Sequence, residues 1–207
     1  MLKPKQNTFI YRFFSWYINR LIKKDFKEFN YNRVEIDIDK AVLVLSNHFS
    51  WWDGFLIFQL NRLVVKKKFY VMVSEENYNK IGFLKHMGAF SIGRNSKDVL
   101  NSLKFAGELL NNPGNLLLIF PQGKLFSNHV CEIEFQKGLS KIVEHSNKTF
   151  QYLFVSMFFD YFQHRNPTIT AYLKKQNCIK TDNSPDISTI YNLHHQDSLT
   201  TQIARVI

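Results

Sequence analysis

Short apolar runs of strand length alternate with segments of helical period along this 207-residue chain. That alternation predicts an α/β fold, one domain with a mixed β-sheet flanked by helices on both faces. Two further observations point to a single domain. A chain of this size buries roughly 70% of its unfolded surface and needs no disulfide or metal staple to hold a core. No Pro/Gly/Ser-rich linker, low-complexity tract or internal repeat divides the sequence.

Composition narrows the class. The chain is 45% hydrophobic and 21% charged with 5 Pro and 8 Gly, which excludes a disordered or fibrous protein. Lys and Arg number 27 against 17 Asp and Glu, a net charge of +10, and 20 Phe, 9 Tyr and 3 Trp accompany it. A basic, aromatic chain suits an anionic membrane face or single-stranded nucleic acid. The aromatics fall within apolar runs instead of alternating with cations, and no RNP or helix-turn-helix pattern occurs, so no nucleic-acid partner is expected. Cys131 and Cys178 lie far apart with no zinc spacing and read as reduced thiols of a protein on the cytosolic side.

The elements follow in order. Thr8 to Lys27 reads as an amphipathic helix with Ile10, Phe13, Phe14, Tyr17, Leu21 and Ile22 on an apolar face, surrounded by Arg12, Arg20, Lys23, Lys24 and Lys27. Arg12 and Arg20 interrupt the stretch and no small-residue cleavage site follows, so a helix in place is expected here and not a signal peptide. Such a helix lies in a membrane interface or packs on its own domain, and its pattern suits both. Val34 to Asp39 alternates apolar and acidic residues and reads as a strand; Ala41 to Leu45 is a continuous apolar run and reads as a buried one.

Asp53 to Leu63 has helical spacing. The stretch Ala41 to Leu60 is long enough for a membrane span, but Asn47, His48 and Asp53 interrupt it, and one central Asp costs about 2.5–3.5 kcal/mol of insertion. No transmembrane helix is expected. Phe69 to Val73 is a further strand, followed by helical patterning at Asn77 to His86, a short apolar run at Ala89 to Ile92 and a helix from Ser96, taken as its N-cap, to Leu110. Pro113-Gly114 stops that helix. Leu116 to Phe120 is a buried strand broken by Pro121 and Gly123; a helix near Phe135 to His145, strands at Phe150 to Ser156 and Thr168 to Leu173, and a polar tail with a helix from Ser198 complete the chain.

Chemistry concentrates directly after the Ala41 to Leu45 strand, in Ser46-Asn47-His48-Phe49-Ser50-Trp51-Trp52-Asp53. A neutral imidazole that takes a proton from a hydroxyl needs a partner that fixes its tautomer and stabilises the imidazolium, and a carboxylate within one turn does both. The pair His48 and Asp53 meets that need without a protein nucleophile. No G-x-S-x-G elbow is present, and neither cysteine has a His/Asp pattern beside it. The implied reaction is direct attack of a substrate hydroxyl on an activated carbonyl. A structural histidine with an Asp that caps its helix is the alternative reading of the same residues.

Four segments in order then resemble the glycerolipid acyltransferases that act on lysophosphatidate and related acceptors. They are the His-x4-Asp stretch Asn47 to Asp53, Gly88-Ala89-Phe90-Ser91-Ile92-Gly93-Arg94, Phe120-Pro121-Gln122-Gly123, and Phe135-Gln136-Lys137-Gly138. The resemblance implies His48 as general base and Asp53 as its orienting partner, with acyl-CoA or acyl carrier protein as donor and co-substrate, no resident cofactor and no metal. It implies a lipid acceptor, Arg94 as a cation for the acceptor phosphate, Gly123 as a point of close backbone approach, and an apolar tunnel for the acyl chain. On that reading residues 1–30 form the N-terminal helix and 31–207 the acyltransferase domain with a polar C-terminal tail. The protein is expected on the cytoplasmic face of a membrane, peripheral or monotopic, docked on an anionic surface.

Departures from the family pattern gather in the acceptor pocket. Gln122 stands where the family has Glu, Lys124-Leu125 where Thr-Arg is common, Gly93 where an acidic residue is common near the arginine, and Leu153-Phe154-Val155-Ser156 lacks the usual proline. Gln122 hydrogen-bonds a hydroxyl but carries no charge, and Lys124 supplies a point charge in place of the missing arginine. The acceptor stays open, and a non-catalytic lipid-binding relative is the alternative. Trp51 and Trp52 fit a headgroup interface, a tunnel wall or the core; Lys66-Lys67-Lys68 fits a solvated run or a contact to lipid phosphate or an acidic carrier. His194-His195 has no accompanying carboxylate or Cys spacing and is assigned no role.

Overall fold

The computed structural model describes residues 1–93, 95–178 and 186–206. In chain order the elements are α1 (Thr8–Asp25), β1 (Glu28–Tyr31), β2 (Ala41–Ser46), α2 (Asp53–Leu60), β3 (Lys68–Ser74), α3 (Glu75–Lys80), β4 (Ala89–Ile92), α4 (Ser96–Leu109), β5 (Asn115–Ile119), α5 (Leu139–Glu144), β6 (Phe150–Asp160), β7 (Thr168–Asn177) and α6 (Ile187–Ile203). A π-helical turn at Asn61–Val65 extends α2, and a 3-10 turn at Leu84–Met87 precedes β4. The sheet is mixed, with strand order β1-β7-β6-β2-β5-β3-β4. The five strands from β6 to β4 run parallel; β7 pairs antiparallel with β6, and β1 pairs parallel with β7.

Strand alternation builds two cores. Val42 and Val44 of β2, Leu116 and Leu118 of β5 and Phe69 and Val71 of β3 face one layer, with Ile18 and Ile22 of α1 and Leu56 and Phe58 of α2. The intervening Leu43, Leu45, Leu117, Ile119 and Tyr70 face the other, with Leu103 and Ala106 of α4, Ile142 of α5 and Tyr191 of α6. Because both faces are covered, the central strands need no polar side and read as continuous apolar runs. The same reasoning explains α2, buried at Phe55, Leu56, Ile57, Phe58 and Leu60. It is apolar all round because the sheet lies beneath it and α1 packs over it. Among the described residues no helix is long and apolar enough to cross a membrane; the Ala41 to Leu60 stretch is a strand, a loop and a buried helix.

Several expectations are corrected. Val34 to Asp39 forms no strand; Val34 and Ile36 pack on the core, while the Asp37 backbone is held by Gln151, whose Oε1 accepts from Asp37 N and whose Nε2 donates to Asp37 O. The sheet edge is instead β1 at Glu28–Tyr31, two residues past the end of α1. Asn95, not Ser96, caps α4, its Oδ1 accepting from Asp98 N at 2.8 Å. The helix near Phe135 shrinks to Leu139–Glu144, because Gln136 N donates to Pro121 O and Gly138 turns at φ 134°. The Asn77 to His86 patterning splits between α3 and the 3-10 turn. Helix α6 begins at Ile187, well before Ser198, and buries polar residues including His194 and His195.

The N-terminal helix carries two apolar faces. Asn7 caps it by accepting from Ile10 N at 3.1 Å, and Lys23 and Lys24 complement its C-terminal dipole. Ile18 and Ile22 point into the core and Tyr11 and Phe14 pack against it. Phe9, Phe13, Trp16 and Tyr17 stay exposed, Phe9 by 87%. Phe13 and Tyr17, expected beside Ile22 on one face, therefore lie on the outer one: the apolar arc is wider than a single stripe.

Candidate active site

Strand β2 ends at Ser46, and residues 47–52 carry the chain to α2 at the carboxyl edge of the parallel strands, where loops converge in open sheets. Asn47 bolts this turn to β6: its Nδ2 donates to Met157 O and its Oδ1 accepts from Met157 N, both at 2.9 Å. Asp53, fully buried in the first turn of α2, folds back over the turn. Its Oδ2 accepts from Phe49 N at 2.7 Å, from Ser50 N at 2.8 Å and faces His48 Nδ1 at 2.8 Å. Burial pushes the Asp53 carboxyl above its usual range, and the bonds from His48, Ser50 and Phe49 oppose that rise. The imidazole of His48 lies flat on the Phe120 ring and is a quarter exposed. With Nδ1 held by Asp53, Nε2 is the ring nitrogen left to exchange a proton with a substrate.

His48 opens on a cavity of about 470 Å³. Trp51, Lys124 and Leu125, all exposed, form its rim with Gly123. Val73, Val71 and Phe69 continue down one face of β3, and Phe58 and Ile18 are buried at depth. The four-residue rise from Phe69 to Val73 spans about 13 Å of apolar wall. A Cβ on Gly54, which also lines the cavity, would meet no atom within 4 Å. The arrangement presents a proton acceptor at the mouth of a chamber shaped for a long apolar group.

The structure brings His48, Asp53, Gly123 and Lys124 together. Gly123 needs its φ of +70°, and its N–H donates to Phe120 O at 3.1 Å, closing the turn. Gln122, expected at the acceptor, is buried and gives its Oε1 to the His48 backbone N–H at 2.6 Å. Arg94 lies outside the described residues. Its neighbour Gly93 is dictated by packing: a Cβ there would sit 2.1 Å from Asp98 Cβ.

Three further partners support the site. Phe120 stacks on His48. Tyr191 donates from α6 to Val155 O at 3.0 Å, with burial pushing its phenol far up. Ser156 meets His195 Nδ1 at 3.1 Å, while His195 Nε2 faces Val130 O at 3.0 Å and so carries the proton. His194 and His195 are thereby engaged with the protein itself, His194 through Tyr172 O at 3.1 Å.

A family model described as Acyltransferase matches residues 23–159, which include the dyad, the Gln122 loop and five of the seven strands of the sheet in full. The chain belongs to the acyltransferase family. The crystal structure of the 1-acyl-sn-glycerophosphate (LPA) acyltransferase PlsC from Thermotoga maritima resembles this acyltransferase with a TM-score of 0.69, covering 95% of this chain and 80% of that one. At 16% identity the likeness is one of fold. No curated protein sequence matches the chain. The family span ends at 159, so α6 and the contacts that Tyr191 and His195 make behind the site lie beyond it.

Proposed function

We propose that this acyltransferase moves a fatty acyl group from a thioester, acyl-CoA or acyl carrier protein, to the hydroxyl of a lipid acceptor of the lysophosphatidate class at an anionic membrane surface. The observation that carries the reading is the His48–Asp53 pair at the mouth of an apolar cavity of about 470 Å³. The acceptor oxygen attacks the thioester carbonyl while His48 Nε2 takes its proton; the ester C–O bond forms, the C–S bond breaks, and the imidazolium returns the proton to the departing thiolate. Asp53 holds Nδ1–H and stabilises the imidazolium. A thioester brings its own activation, so this chemistry calls for no resident cofactor.

The acceptor class is supported by the sequence resemblance and by the likeness to the Thermotoga maritima protein, a 1-acyl-sn-glycerophosphate acyltransferase. Lys124 at the rim, and Arg94 by that resemblance, supply cations for a phosphate; Gly123 leaves room for close approach. On this reading the outer face of α1, with Phe9, Phe13 and Trp16 beside Arg12 and Arg20, docks peripherally on the cytoplasmic leaflet, and the exposure of Trp51 and Leu125 at the cavity rim supports a mouth turned toward lipid. The test is thiol release from acyl-CoA with 1-acyl-glycerol-3-phosphate. His48→Ala is expected to lower turnover by a factor on the order of 10²–10⁴ in a folded protein; wild-type turnover in that variant would sink the assignment.

A further inference from the structure

The segment from Phe120 to Phe126 grips His48 at three points. The Phe120 ring lies 4.1 Å from the imidazole, centroid to centroid. Phe126 N donates to His48 O at 2.9 Å. Between them, Gln122 Oε1 accepts from His48 N at 2.6 Å. Gln122 is 3% exposed and, unlike its neighbours Gly123 and Lys124, does not line the cavity. Its side chain addresses the main chain of His48, not the cavity.

We infer that Gln122 is a positioning residue, one that fixes the backbone of His48 and, being neutral, does so without setting a second carboxylate beside the His48–Asp53 pair. The inference rests on His48 acting as the general base. A turn that presents a base must hold it to within about half an ångström, and a buried N–H left without a partner is as costly as a lost hydrogen bond. A glutamate could accept the same N–H. It would also bring a negative charge within a few ångströms of the imidazole, favouring the imidazolium, and a base that is already protonated cannot take the acceptor's proton. Among the described residues, Asp53 from α2 pairs with the imidazole and Lys124 from the same loop lines the cavity that His48 opens on, its Nζ over the Phe126 ring, while the Tyr191 phenol approaches Asp53 from α6. Gln122 adds no charge to that set. Its amide does for this chain what a carboxylate oxygen could do geometrically, with a different electrostatic result.

The test uses the full chain with oleoyl-CoA and 1-oleoyl-glycerol-3-phosphate. Gln122→Met, similar in volume but without the acceptor atom, is expected to lower kcat by about 10- to 100-fold and to leave the acceptor KM within about threefold, the pattern of lost positioning. Gln122→Glu is expected to recover kcat at alkaline pH while the acid limb of its kcat/KM profile moves to higher pH. An acceptor KM raised tenfold or more at undiminished kcat in Gln122→Met would make Gln122 an acceptor contact, and wild-type constants there would remove its role. A Gln122→Glu profile superimposed on wild type would overturn the electrostatic half. The His48 ring titration, followed by NMR without substrates, reads that half even where Gln122→Met fails to fold or the acceptor is wrong: a higher midpoint in Gln122→Glu is expected, and coincident midpoints would overturn it. Wild-type turnover in His48→Ala would instead defeat the base assignment, whatever the Gln122 variants do.

Discussion

The imidazole of His48 and the phenyl ring of Phe120 lie nearly parallel, with centroids 4.1 Å apart and planes 16° apart. The contact joins two neighbouring strands, since His48 follows β2 and Phe120 follows β5. It leaves the imidazole little freedom to rotate away from Asp53. Phe120→Ala is expected to reduce kcat by about tenfold and to cost about 1 kcal/mol of stability from the lost ring pair. Steady-state kinetics and urea unfolding check both numbers, and a drop in stability with unchanged kcat would mean that the stack is only packing.

Gly54 tests the chamber directly. A side chain there enters open space beside His48, so Gly54→Leu is expected to fold normally and to lose long-chain acyl transfer while retaining short-chain transfer. Thiol release across acyl-CoA lengths measures the change. Equal loss at every length would place the obstruction at the dyad, not in the chamber.

Acid should weaken the fold through α6. Burial, above all, depresses His194 to about 4 from an ordinary 6.5, and His195 is lowered in the same direction. A histidine held neutral in the fold binds fewer protons than in the unfolded chain between those limits. Its stabilisation is therefore complete above about pH 6.5 and lost as pH falls toward 4, with a contribution on the order of 3 kcal/mol for His194. His194→Gln can still donate to Tyr172 O and is expected to flatten the fall in unfolding free energy between pH 6.5 and 4. A slope as steep as wild type would place the acid sensitivity elsewhere.

The two faces of α1 should respond differently to substitution. Replacing Phe9, Phe13 and Trp16 with Ser is expected to weaken binding to anionic vesicles at least tenfold while leaving the thermal midpoint within about 2 °C, because these side chains are exposed. Ile18→Ala is expected to cost about 2–4 kcal/mol, because Ile18 is buried against α2 and the sheet. Vesicle sedimentation and thermal melts, run on both variants, separate the two effects.

The α/β class and the dyad were legible because each rests on local pattern. Continuous apolar runs such as Ala41 to Leu45 mark strands covered on both faces, and the spacing of His48 and Asp53 is set by a single turn. Long-range partners left no comparable trace. Nothing near Val34 announces that Gln151 will hold Asp37 in a turn, and α6 hides because its inward face carries Tyr191, His194 and His195, whose polar atoms find carbonyl and hydroxyl partners at depth. Gln122 was visible as a departure, yet its partner is a backbone N–H, a group that side-chain patterns do not encode.

Ile18 gives α1 a second duty. The helix that offers Phe9 and Phe13 to the outside also supplies, one face away, part of the lining of the cavity beside His48 and a piece of the principal core. It is not a detachable tether. Amputating it would open the chamber and expose α2 at once, so the truncated protein would report a collapsed fold and could not distinguish a lost anchor from a lost wall. On the proposed reading, grip on the bilayer and the capacity of the pocket are thus built on one stretch of backbone, and a change in how α1 sits registers in both.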